Sequence, residues 1–117
     1  MLVYIVGHKG WIGQMYIELF KQNNINYTYS NFRGESEELK KDILDKNVTH
    51  ILSTMGRTHG TRDGTTYTTI DYLQDHSVLS ENINDNLYVP LSLALFAKQH
   101  NIHFTYMGTG CIYSYDD

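Results

Sequence analysis

The first thirteen residues, MLVYIVGHKGWIG, constrain the fold of this chain more than any other stretch. Residues 2–6 form a continuous apolar run, and Gly7, Gly10 and Gly13 follow at a spacing of three residues. An amphipathic pattern then begins with Trp11, Ile12, Met15, Leu19 and Phe20. In a strand–turn–helix phosphate cradle, the first glycine permits a tight turn, the second lets a pyrophosphate approach the backbone, and the third lets the helix pack against the strand. The pattern therefore predicts a dinucleotide site, with an ordinary glycine-rich turn as the alternative.

Composition limits the class of protein. With 117 residues, 41% of them hydrophobic, the chain is expected to form one small domain with a core. No apolar run approaches the roughly 20 residues that span a bilayer, and polar residues from position 8 onward interrupt the only N-terminal candidate for a signal peptide. A formal charge of −4 argues against general nucleic-acid binding. The single cysteine, Cys111, suits a reducing compartment, so a cytoplasmic location is expected.

The rest of the chain alternates between strand and helix patterns. Strands are predicted over residues 25–30, 48–53 and 102–107, and a helix capped by Ser36 is predicted to bury Leu39, Ile43 and Leu44. Residues 56–75 show no sustained period and are expected to form a long loop. A helix over residues 79–100 is predicted to bury a stripe at every fourth residue, namely Leu79, Ile83, Leu87, Leu91 and Leu95. This order predicts an α/β fold, a Rossmann-like doubly wound parallel sheet of about four strands.

Ligands of a doubly wound sheet bind beyond the carboxyl ends of its strands, so residues 7–13, 30–34, 54–60 and 108–113 are predicted to border one crevice. The second of these loops bears on the choice of cofactor. An NAD site would place an acidic residue near Ser30, but none occurs before Glu35. Arg33 instead offers a planar fork of donors that suits a 2′-phosphate, which favours NADP(H). A solvated turn arginine is the alternative.

Pro90 lies inside the long predicted helix and has no N–H to donate to the carbonyl of Asn86. The freed carbonyl would either bind a water at a kink or order a water in a proton relay, and both interpretations stay open. His100 and His103 straddle a helix end and a strand start with no carboxylate or cysteine nearby in the sequence, so no metal site is predicted. The GxSxG motif of serine hydrolases is also missing from the sequence.

Taken together, these segments resemble the N-terminal half of extended short-chain dehydrogenase/reductases. The resemblance is closest to the NADP-dependent 3,5-epimerase/4-reductases that complete nucleotide-linked rhamnose from a 4-keto-6-deoxy sugar. It extends over essentially the whole chain and rests on GHKGWIG, GRTHG followed by TIDYL, ENINDNLYVPLSLA and HFTYMGTGCIYSYD. The last of these segments is far more specific than the glycine triplet.

The resemblance implies a role for individual residues. The glycine loop would hold the pyrophosphate, Arg33 would lie near the 2′-phosphate, and residues 54–57 would follow the ribose. The residues expected to bind the cofactor are Gly7, Lys9, Gly10, Trp11, Ile12, Gly13, Ser30, Arg33, Thr54, Met55, Gly56 and Arg57.

The resemblance also implies three catalytic residues. Asn86 corresponds to a helix asparagine whose backbone carbonyl orders a relay water, and Thr109 to a hydroxyl that hydrogen-bonds the C4 oxygen of the sugar. Cys111 corresponds to a cysteine that acts as an acid/base in epimerising relatives, a role that suits a thiol with an ordinary pKa of about 8.5. A small buried hydrophobic side chain is the alternative interpretation of Cys111.

One motif of that family is missing. Hydride transfer there uses a tyrosine with a lysine four residues later, and none of the ten tyrosines in this chain has a lysine at that spacing. The resemblance therefore implies a partial NADP-binding Rossmann domain over residues 1–117 that lacks this pair and the nucleotide-sugar domain, and that does not turn over substrate alone. The alternative is a non-catalytic binding or regulatory module that forms a homodimer.

Overall fold

A four-stranded parallel sheet forms the centre of the computed structural model, which describes residues 1–108. In chain order the strands and α-helices are β1 (Val3–Val6), α1 (Trp11–Gln22), β2 (Tyr27–Thr28), α2 (Glu37–Asp45), β3 (His50–Ser53), β4 (Gly60–Arg62), β5 (Thr65–Tyr67), α3 (Leu79–Ile83), α4 (Val89–Gln99) and β6 (His103–Tyr106). The central sheet has the order β2-β1-β3-β6, with every neighbouring pair parallel. The predicted Rossmann-like α/β fold with four parallel strands is confirmed.

Apolar side chains cover both faces of this sheet. On one face Val3, Ile5 and Leu52 pack against Ile17 and Phe20 of α1. The opposite face forms a larger cluster, made of Tyr4, Val6, Leu39, Ile43, Val48, Ile51, Val89, Leu93, Phe96 and Ala97. Successive strand residues point to opposite faces, so β1 supplies both clusters and is buried along its whole length. The apolar run before the glycines is therefore the central strand of a covered sheet.

The first two connections match the sequence pattern with small corrections. Ser36 caps α2, since its Oγ accepts a hydrogen bond from the Leu39 N–H at 3.2 Å. Leu39 and Ile43 are buried as predicted, but Leu44 is 41% exposed and does not belong to the buried edge. The strand expected over residues 25–30 pairs only at Tyr27–Thr28, because β2 is an edge strand with a single neighbour.

The segment expected to be a long loop contains a β-hairpin. β4 and β5 pair antiparallel around Asp63 and Gly64, whose φ angles are 49° and 76°. Two short 3-10 turns follow, at Ile70–Gln74 and His76–Val78. Three-residue strands are too short to show an alternating pattern, but the Asp-Gly pair is a hairpin signal, and the expectation of an unstructured loop missed it.

The long helix forms, but the stripe predicted to be buried faces outward. Its five members are between 47% and 59% exposed, namely Leu79, Ile83, Leu87, Leu91 and Leu95. The helix instead packs on the sheet through Val89, Leu93, Phe96 and Ala97. It is apolar on two sides, and periodicity alone does not identify which side meets the sheet. A π-helical segment at Asn84–Tyr88 joins α3 to α4.

Candidate functional site

The glycine turn between β1 and α1 has the steric features of the predicted cradle at its two ends. Gly7 has a φ of +94°, and a Cβ there would lie 2.8 Å from Thr54 Oγ1. A Cβ on Gly13 would lie 2.3 Å from the Gly7 carbonyl oxygen, so the first turn of α1 rests directly on the loop. These two positions need glycine for the protein's own packing.

Gly10 differs from both. Its φ of −74° suits any residue, and a Cβ there would meet only the Gly7 carbonyl oxygen, at 3.4 Å. The space beside its Cα is open, which fits the close approach of a ligand rather than of another part of the protein.

Unpaired donors surround this open space. The first hydrogen bond of α1 runs from the Gln14 N–H to the Gly10 carbonyl at 3.0 Å, and within residues 1–108 no acceptor receives the N–H groups of Trp11, Ile12 or Gly13. The first turn of α1 carries no acidic side chain. The Trp11 side chain is 80% exposed, so it takes no part in the core. A phosphate group would meet both free donors and the positive end of the helix dipole here.

The loop is also tied to the end of β2. The His8 ring stacks on Tyr29 with 4.3 Å between ring centroids and an 11° interplanar angle, and the Gln14 side chain donates to the His8 carbonyl at 2.5 Å. Burial, and then the positive charge of Lys9, lower the pKa of His8. Since its ordinary pKa is about 6.5, His8 is neutral at pH 7, and Lys9 is the cation of this loop.

The turn after β2 presents Arg33 to solvent. Its side chain is 77% exposed although its Nε lies 2.5 Å from Glu35 Oε1, so the ion pair leaves most of the side chain accessible to a ligand. Burial raises the pKa of Glu35, but hydrogen bonds from its own backbone N–H and from Arg33 outweigh it and hold the pKa below its usual value. Ser30 is engaged inside the protein, since its Oγ lies 2.7 Å from the Tyr4 hydroxyl and accepts from the Phe32 N–H at 3.3 Å.

The loop after β3 joins the two preceding loops. Thr54 Oγ1 lies 3.2 Å from the carbonyl oxygens of both Val6 and Gly7, within reach of donation to either. A Cβ on Gly34 would lie 2.7 Å from Val89 Cγ1 and 2.8 Å from Met55 Sδ. Predicted residues from positions 7–13, 30–34 and 54–57 are thus brought to one edge of the sheet, where the parallel strands end.

The Arg57 side chain is paired with two acidic residues of the long helix. Its Nε donates to Asp85 Oδ2 at 2.6 Å, and its Nη1 lies 3.6 Å from Glu81 Oε2. Its backbone N–H donates to Asn86 Oδ1 at 2.8 Å, and Asn86 Nδ2 donates to the Arg57 carbonyl at 3.0 Å. Asp85 is only 8% exposed and was not among the predicted site residues, because no sequence signal links two positions 28 residues apart.

The π-helical segment lies directly before Pro90. The Val89 N–H donates to the Asn84 carbonyl, which is the longer π-type spacing. Pro90 has no N–H, so the Asn86 carbonyl lacks its ordinary α-helical donor. Both features fit a helix whose backbone is locally opened beside Arg57.

Two predicted residues, Thr109 and Cys111, lie outside the described residues. Within positions 1–108, no three His, Cys, Asp or Glu side chains are grouped as metal ligands would be. Over the same range no helix is both long enough and apolar enough to cross a membrane.

The fold and the glycine turn define a Rossmann-like α/β unit, and comparison with known proteins narrows the class of protein. No family model matches the chain. The L780 protein of Acanthamoeba polyphaga mimivirus, whose crystal structure is described as that of a UDP-rhamnose synthase, is 41% identical over 110 residues, 93% of this chain and 37% of that protein. Its crystal structure superposes with a TM-score of 0.87 at 40% identity, over 97% of this chain and 38% of that chain.

A plant relative is also detectable from sequence. The trifunctional UDP-glucose 4,6-dehydratase/UDP-4-keto-6-deoxy-D-glucose 3,5-epimerase/UDP-4-keto-L-rhamnose-reductase of Arabidopsis thaliana is 30% identical over 114 residues, 97% of this chain and 16% of that protein. A GDP-6-OMe-4-keto-L-xylo-heptose reductase from C. jejuni shares the fold, with a TM-score of 0.71 at 16% identity over 96% of this chain and 30% of that chain.

The chain is therefore related to one part of these longer nucleotide-sugar enzymes, and the resemblance to extended short-chain dehydrogenase/reductases inferred from the sequence is confirmed. It spans 37% of the length of the mimivirus relative and 16% of the length of the plant relative.

Proposed function

We propose that the chain is the cofactor-binding part of a nucleotide-sugar 3,5-epimerase/4-reductase that converts a 4-keto-6-deoxy-hexose nucleotide to the rhamnose nucleotide. The observation that carries the proposal is the cradle at Gly10, where open space beside the Cα is followed by three N–H groups that receive no acceptor within residues 1–108. The kinship with a UDP-rhamnose synthase supplies the reaction class. The proposal includes a cytoplasmic setting, because a single cysteine suits a reducing compartment.

The cofactor we propose is NADP(H), which would supply hydride for the sugar C4 when bound. Its pyrophosphate would lie over Gly10, with Lys9 as a nearby cation. Arg33 supports the choice of NADP over NAD, because its side chain is 77% exposed and its guanidinium offers a fork of donors that suits a 2′-phosphate. The remaining ligands proposed from the family pattern are Gly7, Trp11, Ile12, Gly13, Ser30, Thr54, Met55, Gly56 and Arg57.

Three residues are proposed to act on the sugar. The Asn86 carbonyl would order a relay water, a role that its missing α-helical donor at Pro90 supports. Thr109 would hydrogen-bond the C4 oxygen, and Cys111 would move a proton at a carbon beside the keto group. Because no tyrosine of this chain has a lysine four residues later, we expect this chain alone to bind cofactor without transferring hydride.

A second candidate function is a non-catalytic binding module that forms a homodimer. The exposed leucine ridge, defined as Leu79, Ile83, Leu87, Leu91 and Leu95, favours it, because an apolar stripe of this length on a helix surface is typical of an interface. Dimerisation through the ridge would be compatible with cofactor binding, since the ridge and the glycine turn involve different residues.

The proposed function is tested by titrating the chain with NADPH and with NADH. We expect tighter binding of NADPH, and we expect Arg33→Leu to lower NADPH affinity by about tenfold while leaving NADH affinity unchanged, since one charge-assisted contact to phosphate contributes roughly 1.5–3 kcal/mol. Lys41→Leu, which removes an exposed cation from α2, is the matched control and should change neither affinity. Equal affinities for the two nucleotides would refute the choice of NADP, and binding of neither would refute the function.

A further inference from the structure

The side chain of Arg57 is paired with acidic side chains of the protein itself. Of its donors, Nε is paired with Asp85 at 2.6 Å and Nη1 faces Glu81 at 3.6 Å. Asp85 is nearly buried, and its other oxygen accepts from Asn84 Nδ2 at 3.0 Å. A guanidinium held this way projects toward the helix, whereas the neighbouring residues Met55 and Gly56 remain in the loop at the sheet edge.

The backbone of Arg57 is hydrogen-bonded by Asn86, the residue that follows Asp85 in the π-helical segment. Asn86 accepts from its N–H and donates to its carbonyl, the pairing that a neighbouring strand would make. Asn82 fixes the amide orientation, because its Oδ1 accepts a second hydrogen bond from Asn86 Nδ2 at 2.9 Å. Gly56 completes the contact, since a Cβ there would lie 3.3 Å from Asn86 Oδ1.

Two adjacent helix residues therefore bind both the side chain and the backbone of Arg57. Asp85 binds the side chain and Asn86 binds the backbone, and both belong to the π-helical segment. The arrangement closes a ring between the loop and the helix, so a shift of the loop requires breaking an ion pair and two amide hydrogen bonds together. A partly buried, charge-assisted pair is stronger and less adaptable than an exposed one.

We propose that Arg57 and Asp85 are positioning residues of the cofactor site: their ion pair locks residues 54–57 onto the π-helical segment, and Asp85 sets cofactor affinity without touching the cofactor. The inference rests on the proposed function, and for the Arg57 side chain it replaces the ligand role that the family pattern gave to this residue. The same lock fixes the Asn86 amide, and with it the carbonyl proposed to hold a relay water.

Affinity of the full chain for NADPH tests the inference in four variants: Asp85→Ala, Asp85→Asn, Arg57→Ala and the double variant R57A/D85A. Each alanine substitution is expected to lower affinity by about tenfold, because a loop displaced by even about 1 Å loses its fit. The double variant is expected to bind no worse than either single one, since both remove the same pair. Asp85→Asn keeps an oxygen for Arg57 Nε and is expected to recover part of the loss.

Two controls separate positioning from general destabilisation. Ile43→Val removes one buried methyl group from α2 and should lower the unfolding midpoint without changing affinity. Glu18→Ala removes an exposed acid paired with Lys21 at 3.1 Å and should change neither property. Hydrogen exchange of the Arg57 amide supplies a readout without cofactor, because this N–H donates to Asn86 Oδ1. Its exchange is expected to speed up in Asp85→Ala.

The outcomes are distinct. If Asp85→Ala keeps or gains NADPH affinity while Arg57→Ala loses it, Arg57 contacts the cofactor directly and the inference is overturned. Unchanged amide exchange in Asp85→Ala overturns the lock itself, whatever the binding result. A wild-type chain that binds no nicotinamide nucleotide overturns the proposed function and the role of the pair in affinity, while the exchange experiment still decides whether the lock exists.

Discussion

Replacing Gly10 and Gly13 separately with alanine should separate ligand binding from protein stability. The two positions lie three residues apart in the same turn, but their surroundings differ. A methyl group on Gly13 would lie 2.3 Å from the Gly7 carbonyl oxygen and 2.9 Å from His8 Cα, both of them backbone atoms. A methyl group on Gly10 would meet a single atom, at 3.4 Å.

The expected free energies follow from these distances. In Gly13→Ala, helix α1 must move by about 1 Å to restore van der Waals contact, and such overpacking costs roughly 1–3 kcal/mol. The better helix propensity of alanine returns up to about 1 kcal/mol. The net loss of about 1–2 kcal/mol corresponds to a fall in the unfolding midpoint of roughly 5–10 °C for a domain of this size.

In Gly10→Ala two opposing contributions to the free energy of unfolding nearly cancel. Alanine is a poorer helix N-cap than glycine by about 0.5–1 kcal/mol. It also restricts the unfolded chain, which stabilises the folded state by roughly 0.4–1 kcal/mol. We therefore expect unfolding within about 0.5 kcal/mol of the wild type. The methyl group would occupy the space proposed for the pyrophosphate, so NADPH affinity is expected to fall by tenfold or more, about 1.4 kcal/mol.

Urea unfolding followed by circular dichroism, together with NADPH titration, measures both quantities on the same samples. The expected pattern is lost affinity at normal stability for Gly10→Ala, and loss of both for Gly13→Ala. Wild-type NADPH affinity in Gly10→Ala would refute the cradle, because the open space beside its Cα would then have no ligand. Wild-type stability in Gly13→Ala would refute the close packing of α1 on the loop.

Two further predictions concern stability and assembly. Burial raises the pKa of Asp42, but hydrogen bonds from Lys46 at 2.7 Å and Tyr4 at 2.6 Å outweigh it and hold the pKa below its usual value. The stability that these hydrogen bonds add is present above the unfolded pKa of Asp42, about 3.9, and is lost as pH falls through the folded pKa. Asp42→Asn should therefore weaken the loss of unfolding free energy at acidic pH. An unchanged acid-induced loss would contradict the assignment. Leu87→Glu on the leucine ridge should convert a dimer to a folded monomer in sedimentation velocity, whereas Met15→Glu on exposed α1 should not, and a monomeric wild type would rule out the dimer.

Much of the candidate site follows from local sequence. Gly13 needs glycine because a Cβ there would meet the backbone of Gly7 and His8 in the same turn, and Ser36 caps α2 through a hydrogen bond that spans three residues. Contacts between residues a few positions apart leave a recognisable pattern in the sequence, so the turn, the cap and the order of the strands can be predicted from it. The position of Arg33 after β2 is local in the same sense.

The sequence by itself determined the alternating strand–helix order, the parallel sheet and the glycine turn, because each depends on periodicity or on neighbouring residues. Tertiary structure alone decided which side of the long helix is buried, since Val89 and Leu93 pack on the sheet while Leu87 and Leu91 do not. It also decided where the Arg57 side chain points. That choice depends on Asp85, a partner 28 residues away, and a contact of such separation leaves no periodic trace in one sequence.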